Sequence, residues 1–354
     1  MEEKIDCLGM LDLMVQPGFC VRNNEIIKVN QAAERLFLTP GGDVRPLLLT
    51  GAEEYAAFTE GCLYLSLNIS SRSCGASVTR VDGMDVFLLE QDSDVRELRS
   101  MALAARELRE PLTNVMITAD RLFPLSAQND DPQLKKQVAR LNRGLYQMLR
   151  IIGNMSDAER CAAVSRQETL ELAGLFAEVF EKAETLIAHT GLTLTYKGLS
   201  QPVYGLADGE QLERAVLNIL SNAIKFTPSG GTITAELTRK GQMLCLSVRD
   251  SGSGIAENVR SSVFSRYLRQ PALEDSRYGI GLGMVLIRTA AANHGGAVLI
   301  DQPEGTGTRI TMTLSIRQSK ETVLRSNILR VDYAGERDHG LIELSDCLPA
   351  ELYE

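Results

Sequence analysis

Three stretches in the second half of the chain, and a fourth near its end, carry residue types whose spacing could do chemistry. The run LERAVLNILSNAIKFTP puts Asn218 and Asn222 four residues apart, hence on one helical face, with Lys225 three further on. Two amides and an ammonium on one face can hold a hydrated Mg²⁺ and its phosphates. Asp208 and Gln211, just upstream, are spaced like a helix capping box. In LSVRDSGSGIAENV, Asp250 ends a strand and is followed by Gly252 and Gly254. A carboxylate there can accept from an adenine amino group, while the glycines let the backbone approach the ring. In YGIGLGMVLIRTAAANHGG, Gly279, Gly281 and Gly283 stand immediately before an apolar helix, where exposed backbone N–H groups form a phosphate cradle. The fourth stretch, GTGTRITMTL, sets Gly305, Gly307 and Thr308 before a final strand. Each alone reads as well as polar helix surface or a tight turn. The Gly-x-Gly-x-Gly run also lacks the spacing and the early βαβ position of a dinucleotide fold.

Their order and spacing are more specific than any one of them. Together they resemble the nucleotide-binding domain of histidine kinases and related ATPases, the GHKL superfamily, over about residues 165–317. The resemblance implies ATP and Mg²⁺ as cofactors. It puts Asn218 and Asn222 on the metal, Lys225 on the phosphates, Asp250 on the adenine with Gly252 and Gly254 shaping its pocket, and Thr308 in the same binding set. Gly279, Gly281 and Gly283 would bound a mobile lid from about Ile255 to Tyr278. Within it, VFSRYLR resembles the lid phenylalanine motif, with Phe264 as packing anchor and Arg269 as a phosphate contact. Superfamily members that hydrolyse ATP, and the related serine kinases, carry Glu where Asn218 stands, because a carboxylate is needed as general base. Asn218 therefore favours the histidine-kinase branch.

Upstream, AARELREPLTNVM resembles the histidine-kinase phosphoacceptor box, commonly HELRTPL, and both departures fall where the chemistry is. Arg106 occupies the acceptor position, and Glu110 the position where Thr or Asn assists dephosphorylation. A guanidinium has no usable lone pair, so Arg106 cannot attack a γ-phosphate, and Glu107 is left as a vestigial base. No shift of register restores the site: the three histidines are His189, His294 and His339. His294, at the end of the helix after the lid, reads as structural. His189 and His339 have no surrounding constellation.

The elements that must position these groups are legible as patterns. Leu98, Met101, Ala105, Leu108, Leu112, Val115, Ala119 and Leu122 alternate three and four residues apart. After a polar break at residues 123–132 the alternation resumes at Leu134, Val138, Leu141, Leu145, Met148, Ile152 and Met155. Two such helices make an antiparallel hairpin, and pairing with a second copy into a four-helix bundle, hence a homodimer, would bury both seams. Residues 1–93 contain short strand-like runs broken by turns, and FCVRNNEIIKVNQAAERLF with the strands ending at MDVFLLEQ resembles a PAS sensor domain. Its lack of His argues against a histidine-ligated haem, and no flavin-reactive cysteine motif surrounds Cys62 or Cys74.

The expected fold is thus multi-domain α+β: a PAS-like module over 1–93, a helical hairpin over 94–160, and an α/β sandwich of the histidine-kinase ATPase type over 165–317. A tail over 318–354 follows, with a short strand at LIELS and no visible chemistry.

At 354 residues and 44% apolar the chain can bury two or three cores. The charged start MEEKID, and the lack of any run approaching about 18 apolar residues, predict neither signal peptide nor membrane anchor, and a cytoplasmic protein. Seven cysteines lie scattered with no Cys-x-x-Cys pair, as expected of reduced thiols. A formal charge of −9 disfavours nucleic acid as a partner. Three functions stay open at this level. One is a pseudo-histidine-kinase that binds Mg-ATP and signals by conformation, to a response regulator or by pairing with an active kinase. Another is a kinase acting in trans or on a non-standard acceptor, and the last is a slow ATPase, which Asn218 disfavours.

Overall fold

The computed structural model describes residues 7–124, 131–160, 167–255, 263–264, 281–302, 306–317 and 337–354. The chain begins with α1 (Cys7–Leu13), the hairpin β1 (Gly18–Arg22) and β2 (Glu25–Val29), and the short helices α2 (Gln31–Glu34) and α3 (Ala52–Ala57). A meander follows of β3 (Cys62–Ile69), β4 (Arg72–Val81) and β5 (Met84–Leu89). The β1–β2 turn works because Asn23 and Asn24 both accept left-handed backbone. The five strands pair antiparallel in the order β2-β1-β5-β4-β3. Their core stacks Phe19 on Phe87 at 4.6 Å, among Val21, Leu63, Leu65 and Leu89.

Two long helices come next, α4 (Asp92–Leu122), which passes through Pro111 without ending, and α5 (Pro132–Arg160). Asp131 caps the second by accepting from the amides of Gln133 and Leu134. The heptad seam divides by face. Ala105, Leu112 and Ala119 of α4 close on Leu145, Leu149 and Ile152 of α5, whereas Leu108, Val115 and Leu122, with Leu141 and Met148, remain exposed.

The second half contains β6 (Glu168–Glu171), α6 (Leu172–Ile187), β7 (Thr193–Lys197), β8 (Tyr204–Ala207), α7 (Gly209–Phe226), β9 (Thr232–Lys240) and β10 (Met243–Asp250). Beyond residue 280 come α8 (Leu282–Asn293), β11 (Val298–Asp301) and β12 (Arg309–Ser315). The sheet runs β11-β12-β10-β9-β7, parallel only between β7 and β9, while β6 and β8 form a separate ribbon. Phe176, Phe180, Val216, Leu220, Ile287 and Ala290 from α6, α7 and α8 bury against Ile233, Leu246 and Val248 of the sheet. The molecule is a mixed α/β protein, and its two sheets are continuous: β3 pairs with β11, Leu63 opposite Leu299.

The tail departs from expectation. LIELS is not a strand: residues His339–Glu343 form α9, capped by Asp338 accepting from the Leu341 amide. The reason is burial on several sides. Ile342 enters the hairpin core and Leu344 enters the α/β core, so a helix wedged between two bodies shows neither strand nor surface-helix periodicity. Nor is the tail without chemistry, as its contacts below make plain. Among the described residues no helix is long and apolar enough to cross a membrane.

Candidate functional site

Helix α7 starts where Asp208 accepts from the Gln211 amide at 3.1 Å, the first half of the expected capping box. The reciprocal half is absent because the Asp208 N–H donates instead to His294 Nε2 at 3.0 Å. Gln211 Oε1 accepts from Asn293. His294 also sets Nδ1 2.7 Å from the Ala290 carbonyl. Burial pushes its pKa down, which the Ala290 hydrogen bond and the Asp208 charge offset only in part. A neutral imidazole therefore ties the end of α8 to the start of α7.

Along α7 the polar stripe runs Arg214, Asn218, Ser221 and Lys225, with Asn222 beside it. Asn218 is buried, donating to the Arg214 carbonyl at 2.8 Å and to Glu343 at 3.4 Å, and accepting from Arg150 at 3.4 Å. Gly283 lies in the first turn of α8 rather than before it, and a Cβ there would stand 3.0 Å from Asn218 Oδ1, so the absent side chain is what admits the amide. Asn222 donates to Met284 Sδ of the same turn at 3.7 Å. Gly281 caps α8 in left-handed backbone. Lys225 Nζ meets Asp346 at 2.9 Å.

At the end of β10, Asp250 Oδ1 accepts from the amides of Gly252 at 2.8 Å and Thr308 at 3.2 Å, and the Asp250 amide donates to the Thr308 carbonyl. Burial raises its pKa, although both amide hydrogen bonds act in the opposite sense. A Cβ on Gly252 would lie 2.3 Å from the carbonyl of Phe226, the last residue of α7, and one on Gly307 would lie 1.9 Å from the Asp250 carbonyl. Gly254 takes φ +76° beside Gln302. Close backbone approach thus joins the Asp250 corner to the end of the stripe that carries Lys225. Arg269, Gly279, Gly305 and all of the lid except Ile255, Val263 and Phe264 lie outside the described residues. Phe264 is buried, its ring 5.5 Å from Tyr64 of β3, and its carbonyl accepts from Arg288.

Residues 207–318 match the family described as Histidine kinase-, DNA gyrase B-, and HSP90-like ATPase. The chain is 28% identical over 280 residues to the signal transduction histidine-protein kinase/phosphatase MprB of Mycobacterium sp. (strain KMS), covering 77% of this chain and 49% of MprB. It is 31% identical over 227 residues to the adaptive-response sensory kinase SasA of Gloeothece citriformis, covering 61% of this chain and 57% of SasA. The chain therefore contains a domain of that ATPase family, and these relatives that it matches are histidine and sensory kinases. It spans less than two thirds of the length of these relatives. Among solved structures, full-length ShkA in complex with AMPPNP matches at a TM-score of 0.47 and 22% identity, over 62% of this chain and 46% of ShkA.

The stretch that resembles the acceptor box lies mid-way along α4. Arg106, Glu107 and Glu110 are all exposed there. His189 is exposed in a 3-10 turn, and His339 sits 3.4 Å from Glu213. Sequence reasoning missed a buried ionic cluster over α7. Arg214 bonds Asp157 and Asn154 of α5 and Glu343 of α9, while Arg150 of α5 bonds Ser221 and Asp346. Arg150, Arg214 and Lys225 are thereby matched by Asp157, Glu343 and Asp346. Removing one partner of such a buried pair costs about 3–5 kcal/mol, because the other charge is left desolvated. Arg214 had a signal, since it lies one turn before Asn218 on the same face. Arg150 had none, standing in a heptad helix rich in arginine.

Proposed function

We propose that this is a cytoplasmic two-component-type signalling protein of the sensor histidine kinase family that binds Mg-ATP and does not phosphorylate its own hairpin. The observation that carries the binding half is the Asp250 corner. A carboxylate is fixed there by two backbone amides at the end of β10, beside glycines where any side chain would collide with backbone. That geometry leaves the second carboxylate oxygen as an acceptor for an exocyclic amine. Asn218, Asn222 and Lys225 supply the amides and the ammonium for Mg²⁺ and phosphate, and their donor chemistry fits an anionic ligand. Arg269, Gly279, Gly281, Gly283 and Thr308 belong to the same proposed set. When bound, the nucleotide would supply a γ-phosphoryl group for transfer. Arg106 presents no nucleophile to it, and Glu107 has no proton to remove.

The five-stranded antiparallel sheet with its short helices supports the PAS-like reading of residues 1–93. The exposed row Leu108, Val115, Leu122 repeats every seven residues, as does Leu141, Met148, which supports pairing of two hairpins into a four-helix bundle. Output through a response regulator or an active partner kinase would follow from that architecture. Asp250→Asn tests the binding half, because the amide oxygen can still accept from both N–H groups while an NH2 donor replaces the second carboxylate oxygen, which would accept from the adenine amine. Titration calorimetry with Mg-ADP should show affinity falling at least about ten-fold, roughly 1.4 kcal/mol. An unchanged affinity would remove the adenine role.

A further inference from the structure

The face of α7 just assigned to phosphates and Mg²⁺ is covered. Two carboxylates of the C-terminal segment lie on it: Glu343 Oε2 is 3.4 Å from the Asn218 amide nitrogen, and Asp346 Oδ2 is 2.9 Å from Lys225 Nζ. Asp346 is also paired with Arg150, which reaches over from α5 to Asn218 and Ser221. An oxyanion held between a guanidinium and an ammonium, as Asp346 is, has the ligand set of a nucleotide phosphate.

The segment is anchored well beyond these charges. Ile342 inserts into the hairpin core, and Leu344, Leu348 and Tyr353 insert into the core under α6 and α7. Tyr353 stacks edge-on against Tyr146 at 5.0 Å and donates to the Leu341 carbonyl. Helix α5 holds the backbone around Asp346 through Arg143 to the Ser345 and Asp346 carbonyls and through Gln147 to Ser345. Asn142 holds the Tyr353 carbonyl. Apolar burial fixes the segment, and that fixing aims two carboxylates at the phosphate face.

We propose that residues 339–353 are a built-in occupant of the nucleotide site: Glu343 and Asp346 stand where the nucleotide's phosphate oxygens would bind, so the tail and Mg-ATP exclude one another. The proposal rests on reading α7 as the nucleotide face. It makes the tail a competitive inhibitor carried in the same chain. Because the segment wedges between α5 and α7, whatever shifts the hairpin relative to the α/β core changes the tail's hold. Departure of the tail would leave Arg150 and Lys225 facing each other without their anion, which favours a phosphate in its place. Arg150, from the hairpin, then becomes a phosphate contact.

Ser221 Oγ and Cys347 Sγ are 3.5 Å apart, so Ser221→Cys in the full chain offers a reversible covalent lock between tail and α7 after a small rotamer adjustment. The lock is formed with a mild oxidant and verified by peptide mapping without reductant. Affinities for Mg-ADP and Mg-ATP are then compared for oxidised and reduced protein, for wild type treated identically, and for Asp346→Asn. The expected result is that the locked chain binds at least about thirty-fold more weakly than the reduced chain and recovers on reduction, wild type is insensitive to the treatment, and Asp346→Asn binds more tightly than wild type. Equal affinity of the locked and reduced forms would overturn the proposal while leaving the nucleotide reading intact. Absence of nucleotide binding by every form, Asp346→Asn included, would overturn the nucleotide reading and the proposal with it.

Discussion

His294 does at the residue scale what no single motif letter predicted. It accepts from the Asp208 amide with one nitrogen and faces the Ala290 carbonyl with the other, so the helix after the lid and the helix of the Asn stripe share one hinge pin. Its folded pKa is pushed below the ordinary 6.5, with burial as the largest cause. The unfolded chain therefore binds the proton first, and the stability His294 contributes is complete above pH 6.5 and declines as pH falls through and below that value. Thermal midpoints measured from about pH 8 to about pH 5.5 should fall for wild type and fall less for His294→Gln; equal slopes would show that His294 does not govern this window. The sequence made Asn218, Asn222, Lys225 and Asp250 visible because their spacing is local. The partners of Asn218 were not, since Arg150 and Glu343 lie 68 and 125 residues away along the chain.

At the scale of elements, α4 and α5 were legible because a three-four alternation over many turns has no strand alternative. Their outer row was legible too, but only the fold separates the residues that close the hairpin from those left exposed. Val115 is 52% exposed in the middle of that row. Val115→Asp would place a charge at the bundle seam. It should convert a dimer to monomer with helical content retained, read by light scattering and circular dichroism. A monomeric wild type, or an unaltered dimer in the variant, would count against the bundle. The tail helix α9 was misread for the opposite reason: five residues, Leu-Ile-Glu-Leu-Ser, are too few to show a helical period, and the two cores on either side are what bury it as a helix. The second half of the capping box failed because a histidine 86 residues away took the amide.

For the whole molecule, no local pattern foretold that β3 would extend the ATPase-type sheet by pairing with β11, nor that Tyr64 and Glu90 of the first module would grip Arg288 and Phe264 at the root of the lid. The N-terminal module, the hairpin and the tail all converge on the α/β body. A change in any of them is mechanically connected to the proposed nucleotide face without needing a phosphorylated histidine. If the nucleotide machinery persists while the acceptor is gone, labelling with γ-labelled ATP and Mg²⁺ will reveal it. Wild type, Arg106→His and Arg106→His combined with Asp346→Asn are incubated side by side, and labelled protein is treated with acid and with alkali. The expected result is an unlabelled wild type and acid-labile phosphate on the double variant, with less on Arg106→His alone because the tail still holds the site. Phosphate on the wild type that is labile to acid and stable to alkali would contradict this, and would place an acceptor histidine outside the hairpin.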